Sequence, residues 1–150
     1  MTVAALLRTK SGDAKPGEVR TIHPWSTVAD AVRRLGESPR VGALVVTSEG
    51  GRVIGIVGER EIVRGLGEHG PGIMQLSAEN VMSRRIPTCA PADSLASVMR
   101  TMTESRFRHI PVIDGNELVG LVSIGDVVRA RLKDAELEAA VLRDMVKIRG

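Results

Sequence analysis

Residues 19–64 recur at residues 86–129, and this internal duplication constrains the fold more than any single residue does. A shift of 67 positions lays Thr21 on Thr88, Pro24 on Pro91, Ala29 on Ala96, Arg33 on Arg100, Glu37 on Glu104, Ser38 on Ser105 and Val45 on Val112. After a two-residue difference assigned to one turn, a shift of 65 sets Ile54, Gly55, Ile56 and Val57 on Val119, Gly120, Leu121 and Val122. The same shift sets Glu61, Ile62, Val63 and Arg64 on Asp126, Val127, Val128 and Arg129. Copies of about 45 residues are marginal on their own, so the two are expected to pack on each other as one unit.

Each copy reads strand, helix, strand, strand, helix. In copy one an extended piece at 19–22 precedes a helical pattern of Val28, Ala31, Val32 and Leu35, with Thr27 and Asp30 as a capping box and Gly36 as the stop. The apolar runs 43–46 and 53–57 flank a turn in which Gly50 and Gly51 supply the positive φ angles of a tight hairpin. A helix over 59–66 closes the copy. Copy two repeats the order, with a strand at 86–89, a helix over 94–103, a hairpin of 110–113 and 118–123 around Asp114, Gly115 and Asn116, and then a last helix. The glycine-rich 65–72 reads as a linker, and 78–82 as one helical turn entering copy two. The organisation is therefore an N-terminal segment 1–18, copy one 19–66, linker and short helix 67–85, copy two 86–132 and a helical extension 133–150.

Beyond copy two the apolar positions Val128, Leu132, Ala135, Ala139, Leu142 and Val146 follow 4, 3, 4, 3, 4 spacing among charged residues. Such a seam fits either a helix lying on its own domain or one pairing with its twin in a homodimer.

Composition narrows the function classes. No apolar run approaches the ~18 residues of a membrane span. The 21 basic and 18 acidic residues are interspersed. With Trp25 and Phe107 as the only aromatic residues, a stacking groove for nucleic acid is not expected. Cys89 is the single cysteine, so a disulfide framework is not expected and a cytoplasmic location is. His23, His69 and His109 lack metal-site spacing. Residues 65–70 match G-x-G-x-x-G, but they follow a helix and run into Pro71, the reverse of the strand-to-helix context that motif requires. Cys89 with a histidine would be the one nucleophile candidate, yet it aligns with Ile22 on a short strand and reads as core.

The strongest chemical signal is the junction from Gly120 to Asp126. A strand delivers Ser123 just where a helix begins, so amides and the positive end of the helix dipole lie beside a hydroxyl and, one turn on, a carboxylate. That set suits a phosphate and a ribose. The same Ser-x-x-Asp is also a capping box that serves only its helix.

Two copies of this unit, each ending in an apolar run, the second with Gly-x-x-Ser-x-x-Asp, resemble a CBS domain pair, or Bateman module, over about 3–132, and most of all the stand-alone bacterial pairs. The resemblance implies an α+β fold of two β-α-β-β-α repeats in pseudo-twofold packing, without catalysis. It also implies a cleft between the copies for an adenosine compound: AMP foremost, with ADP, ATP, NAD and S-adenosylmethionine as further possibilities. Energy sensing, signalling to a protein target and flat two-fold dimers go with it.

Carried onto this chain, the resemblance places Asp126 on the ribose hydroxyls, Ser123 with Ile124 and Gly125 on a phosphate, Arg108 and His109 toward the phosphates, and Ile86 and Thr88 at the base. A first site would use Thr21, Gly58, Arg60 and Glu61. It departs from the pattern, because Gly58 replaces the hydroxyl residue, Glu61 replaces the aspartate, and Val41 and Gly42 align with Arg108 and His109. One good site and one weak or altered site are expected. The competing reading is a ligand-independent dimerisation or scaffold protein.

Overall fold

The computed structural model describes residues 1–9, 19–37 and 41–149. Copy one is built on a three-stranded sheet in which β2 (Ala43–Thr47) lies between β1 (Thr21–Ile22), parallel to it, and β3 (Val53–Gly58), antiparallel to it. All five residues of β2 are buried. A strand covered on both faces has no reason to alternate polar and apolar side chains, hence its continuous apolar run. In the hairpin turn Gly51 alone takes a positive φ, +79°, whereas Gly50 was expected to share that role.

Helix α2 (Val28–Glu37) shows one half of the expected capping box, the Asp30 amide donating to Thr27 Oγ1 at 3.1 Å, while the Asp30 carboxylate pairs with Arg33. Gly36 does not stop it but lies inside its last turn. The expected linker is also ordered structure: α3 (Glu59–His69) continues directly into a 3-10 helix (Gly70–Gln75). Gly65 is there for closeness rather than flexibility. A Cβ on it would lie 2.8 Å from both Ile73 Cδ1 and Val81 Cγ1, so the absent side chain lets the 3-10 segment pack its buried Ile73 onto α3. After a second short 3-10 turn (Ala78–Asn80), Ser83 exchanges backbone bonds of 2.9 and 3.1 Å with Ile56 and extends the sheet beyond β3.

Copy two lacks the full first strand expected at 86–89. Pro87 has no N–H to give a ladder. Contact with the sheet narrows to a single parallel bridge, in which Cys89 donates to the Pro111 carbonyl at 3.0 Å and accepts from the Ile113 amide at 2.8 Å. Helix α4 (Leu95–Ser105) starts at Ser94, whose hydroxyl accepts the Ser97 amide. The hairpin of β4 (His109–Asp114) and β5 (Glu117–Ser123) turns through Gly115 at φ +63°. It delivers the chain into α5 (Ile124–Arg149).

One element has no counterpart in the sequence reading. Helix α1 (Val3–Thr9) packs on copy two, not on the copy that follows it, and puts Val3 and Leu6 into a core with Val98, Ile110, Val112, Val122 and Val127. Its N-terminal end is anchored by a short antiparallel bridge: the Val3 amide donates to Asp93 O and the Leu95 amide to Met1 O. Leu7 fills the space a side chain at Gly120 would take. Burying Val3 and Leu6 is worth about 1.5–3 kcal/mol each. Residues 10–18 of the expected N-terminal segment lie outside the described residues.

Strand pairing also corrects the alignment of the copies. Ala43 opposes Gly58 as His109 opposes Ser123, and the irregularity at Val46/Thr47 matches that at Val112/Ile113. The first hairpin strand is therefore offset by 66, not 67. One of the two missing residues falls between helix and strand, and the other in the hairpin turn. Ala43, rather than Gly42, is the equivalent of His109, and Gly42 is the equivalent of Arg108.

Candidate functional site

The β4–β5 register places Ser123 directly across from His109, while the Ile124 amide donates to Arg108 O at 2.8 Å. Strand end and helix start thus gather Arg108, His109, Ser123 and Asp126 at one end of the hairpin. Ile86 and Thr88 precede Cys89, whose parallel bridge to Val112 runs them toward the same end of β4. Ile86 is half-buried and Thr88 exposed. Copy one closes the other side: the His109 ring lies against Gly42, where a Cβ would come within 2.5 Å of Nε2. The residues expected at a second site thus lie at one end of the β4–β5 hairpin, where His109 meets Gly42 of copy one.

Its acid and hydroxyl also form a complete capping box. The Ser123 amide donates to Asp126 Oδ2 at 2.9 Å and the Asp126 amide to Ser123 Oγ at 3.1 Å. Asp126 is 8% exposed, and its Oδ1 receives Arg129 Nη2 at 2.8 Å. The Arg129 guanidinium lies over Gly125, 3.3 Å from where a side chain there would begin. Arg129 was not singled out from the sequence. Its place three residues after Asp126 on a helix, and its match to Arg64 in copy one, were the available signals. The result is a carboxylate held at a helix N-terminus by the Ser123 amide and Arg129, with the exposed Arg108 on the adjoining strand end.

The residues expected at a first site do not converge in the same way. Glu61 is 5% exposed, with Oε1 taken by the Gly58 amide at 2.9 Å and Oε2 by the Ser83 hydroxyl at 3.1 Å, which Arg64 also reaches. A side chain at 58 would begin 2.9 Å from Gly42 O, so the missing hydroxyl follows from backbone crowding. Arg60 reaches out of copy one altogether: Nη1 donates to Arg106 O at 3.1 Å and the guanidinium lies 5.5 Å above the Phe107 ring. It braces the αL residue that ends α4 (φ +63°). Thr21 pairs with Val45 and lines a cavity of about 700 Å³ at the hairpin-turn end, with Thr47, Gly51, Asp114, Glu117 and Leu118. That cavity offers two carboxylates and no cation, the wrong electrostatics for a phosphate. The opposite end of the hairpin carries the two cations Arg108 and Arg129.

Cys89 is buried, and desolvation, aided by Asp93, pushes its thiol up to about 11. A thiol so buried and so rarely ionised near neutrality packs as part of the copy-two core. Among the described residues no group of three His, Cys, Asp or Glu side chains could hold a metal ion, and no helix is long and apolar enough to cross a membrane.

The fold just described is two sheet-and-helix copies that meet beside a Ser-x-x-Asp helix start. The family model for the CBS domain matches residues 17–68 and 78–133, and the chain belongs to that family. The mitochondrial CBS domain-containing protein CBSX3 of Arabidopsis thaliana is 34% identical over 133 residues, covering 86% of this chain and 64% of that protein, so this chain spans less than two thirds of it. A CBS-domain containing protein from Agrobacterium tumefaciens superposes with a TM-score of 0.78 at 35% identity, covering 87% of this chain and 92% of that one. A CBS-domain protein from Burkholderia ambifaria, described as a putative signal-transduction protein, gives 0.80 at 34%, covering 89% and 96%. Two structures that share the fold at 22% and 21% identity were solved with AMP, and with 5′-methylthioadenosine and S-adenosylmethionine.

Proposed function

We propose that this CBS-domain pair is a non-catalytic regulatory module that binds an adenosine nucleotide, AMP foremost, at the second site and passes the signal to a protein partner. The observation that carries the reading is the convergence of Arg108, His109 and the Ser123–Asp126 pair against Gly42 of the other copy. Asp126 accepts the ribose hydroxyls. Arg129, 74% exposed, turns from Asp126 toward the phosphate, where Arg108 joins it. Because the His109–Gly42 contact forms one wall, ligand occupancy biases the relative orientation of the copies, and a partner reads that orientation. The fold neighbours with adenosine compounds support the ligand class. The module acts as a homodimer through the uncovered length of α5. A reducing compartment such as the cytoplasm suits the single buried thiol, while the plant relative's name places that protein in mitochondria.

Calorimetric titration with AMP, ADP, ATP, NAD, S-adenosylmethionine and adenosine tests the reading. Saturable binding of one nucleotide, weakened about tenfold or more by Arg108→Gln or Arg129→Gln at unchanged melting temperature, is the expected result. No binding across the panel overturns it. The reciprocal Ser123–Asp126 cap favours one alternative, a ligand-independent scaffold in which both residues serve only the start of α5. In that case Asp126→Asn alters melting and nothing else.

A further inference from the structure

The outer half of α5 leaves its own domain and carries its apolar seam into solvent: Leu132, Leu142 and Val146 are 59%, 62% and 70% exposed, and Ala135 and Ala139 are exposed between them. We infer that a second copy of this chain covers this seam, and that the two α5 helices pair parallel and in register as a two-stranded coiled coil. The inference rests on the homodimer in the proposed function and is independent of nucleotide binding.

The occupant and its direction follow from the flanking charges. With Leu132, Ala139 and Val146 at a and Val128, Ala135 and Leu142 at d, the g positions are Arg131, Glu138 and Met145, and the e positions include Glu136 and Arg143. Two parallel helices place each g beside the e′ five residues on. That pairs Arg131 with Glu136′ and Glu138 with Arg143′, both of opposite sign, and the two-fold axis doubles each pair.

Glu138 and Arg143 have no use within their own helix. The residues three and four away from Glu138 are Asp134, Ala135, Val141 and Leu142, and those around Arg143 are Ala139, Ala140, Val146 and Lys147. Neither takes part in an ion pair among the described residues. An antiparallel pair sets g against g′, and in the register that overlaps the whole extension it leaves Glu138 opposite Met145′.

The opposite stripe of Leu137, Val141 and Ile148 is also exposed, but a heptad through it would bring Asp134 and Asp144 into the seam. Charge therefore selects one face, one direction and one register. The small Ala135 and Ala139 allow the helices to approach closely at mid-length.

The test is made on the full chain. Light scattering is expected to give a dimer, and Val146→Cys to form an intermolecular disulfide in near-complete yield under mild oxidation, because a-position residues meet their own twins only in a parallel, in-register coil. Cys89 is buried and does not compete. Glu138→Arg is expected to weaken the dimer about tenfold or more, and the added Arg143→Glu to restore it. A monomer overturns both the dimer and this inference. A stable dimer in which Val146→Cys does not cross-link, or in which Leu137→Cys cross-links instead, overturns the parallel seam alone.

Discussion

Two glycines in one helix should respond to the same substitution with opposite signs. Gly65 and Gly67 both lie in α3, so Gly→Ala offers each the same intrinsic gain, about 0.8–1 kcal/mol of helix propensity. Their surroundings differ. Nothing lies within 4 Å of a Cβ at Gly67, whereas one at Gly65 meets Ile73 Cδ1 and Val81 Cγ1 at 2.8 Å. Val81 is β-branched and 4% exposed, so it has little freedom to retreat. Overpacking of this kind costs about 1–3 kcal/mol. Because the propensity gain cancels between the two variants, their difference isolates the packing term. A chain of this length shifts about 2–4 °C per kcal/mol, so Gly67→Ala should melt above the parent and Gly65→Ala about 2–12 °C below Gly67→Ala. Thermal unfolding followed by circular dichroism measures this. Equal upward shifts would show that residue 65 meets no packing constraint, and the tight α3–Ile73 contact would be wrong.

Ser123→Ala removes the hydroxyl that caps the Asp126 amide and should cost about 0.5–2 kcal/mol in denaturant unfolding; no loss would mean the box does not stabilise α5. Gly42→Ala forces the His109 ring aside and should shift the His109 imidazole resonances more than Gly36→Ala, a site with nothing within 4 Å, shifts them; equal responses would refute the contact. Leu6→Ala should destabilise by about 2–5 kcal/mol through copy two although it lies before copy one, and hydrogen exchange in β4 and β5 should rise before that in β2. Cys89, with its thiol raised to about 11, should alkylate at pH 8 about 100-fold more slowly in the folded than in the unfolded chain from ionisation alone. The raised value adds stability below the unfolded thiol's value and loses it as pH climbs through 11, so unfolding should become easier in strong alkali and not in acid.

The duplicated apolar pattern made the helices and hairpins legible because each copy corroborates the other, and burial of β2 on both faces wrote itself as an unbroken run. What escaped the reading was decided at long range. A seven-residue helix at 3–9 has no local mark of its own, since its partners Asp93, Leu95 and Gly120 lie some ninety to more than a hundred positions away. Glycines 65 and 67 read as slack because a sequence does not reveal whether glycine is chosen for freedom or for proximity. Gly36 failed as a stop for a related reason, as a single glycine in a helix costs only about 1 kcal/mol and the turn around it holds. At the candidate site, Ser123 and Asp126 were legible from their place at a strand end and helix start, whereas Arg108 and His109 entered only through the family resemblance. Arg129 was missed, as was the one-residue slip that puts Ala43 in His109's place, because register is a property of pairing and not of identity.

The α1 contact also fixes the order in which the molecule can become whole. The residues of α1 find their binding surface only after β5 has been made, more than a hundred residues later, so this helix waits for the second half of the chain. Copy one can collapse on its own strands during synthesis, but copy two is completed by a segment that has waited throughout. Cutting the chain between the copies would therefore strand part of one half's core on the other. The two repeats look like beads on a string in the sequence, yet they are threaded as a closed loop.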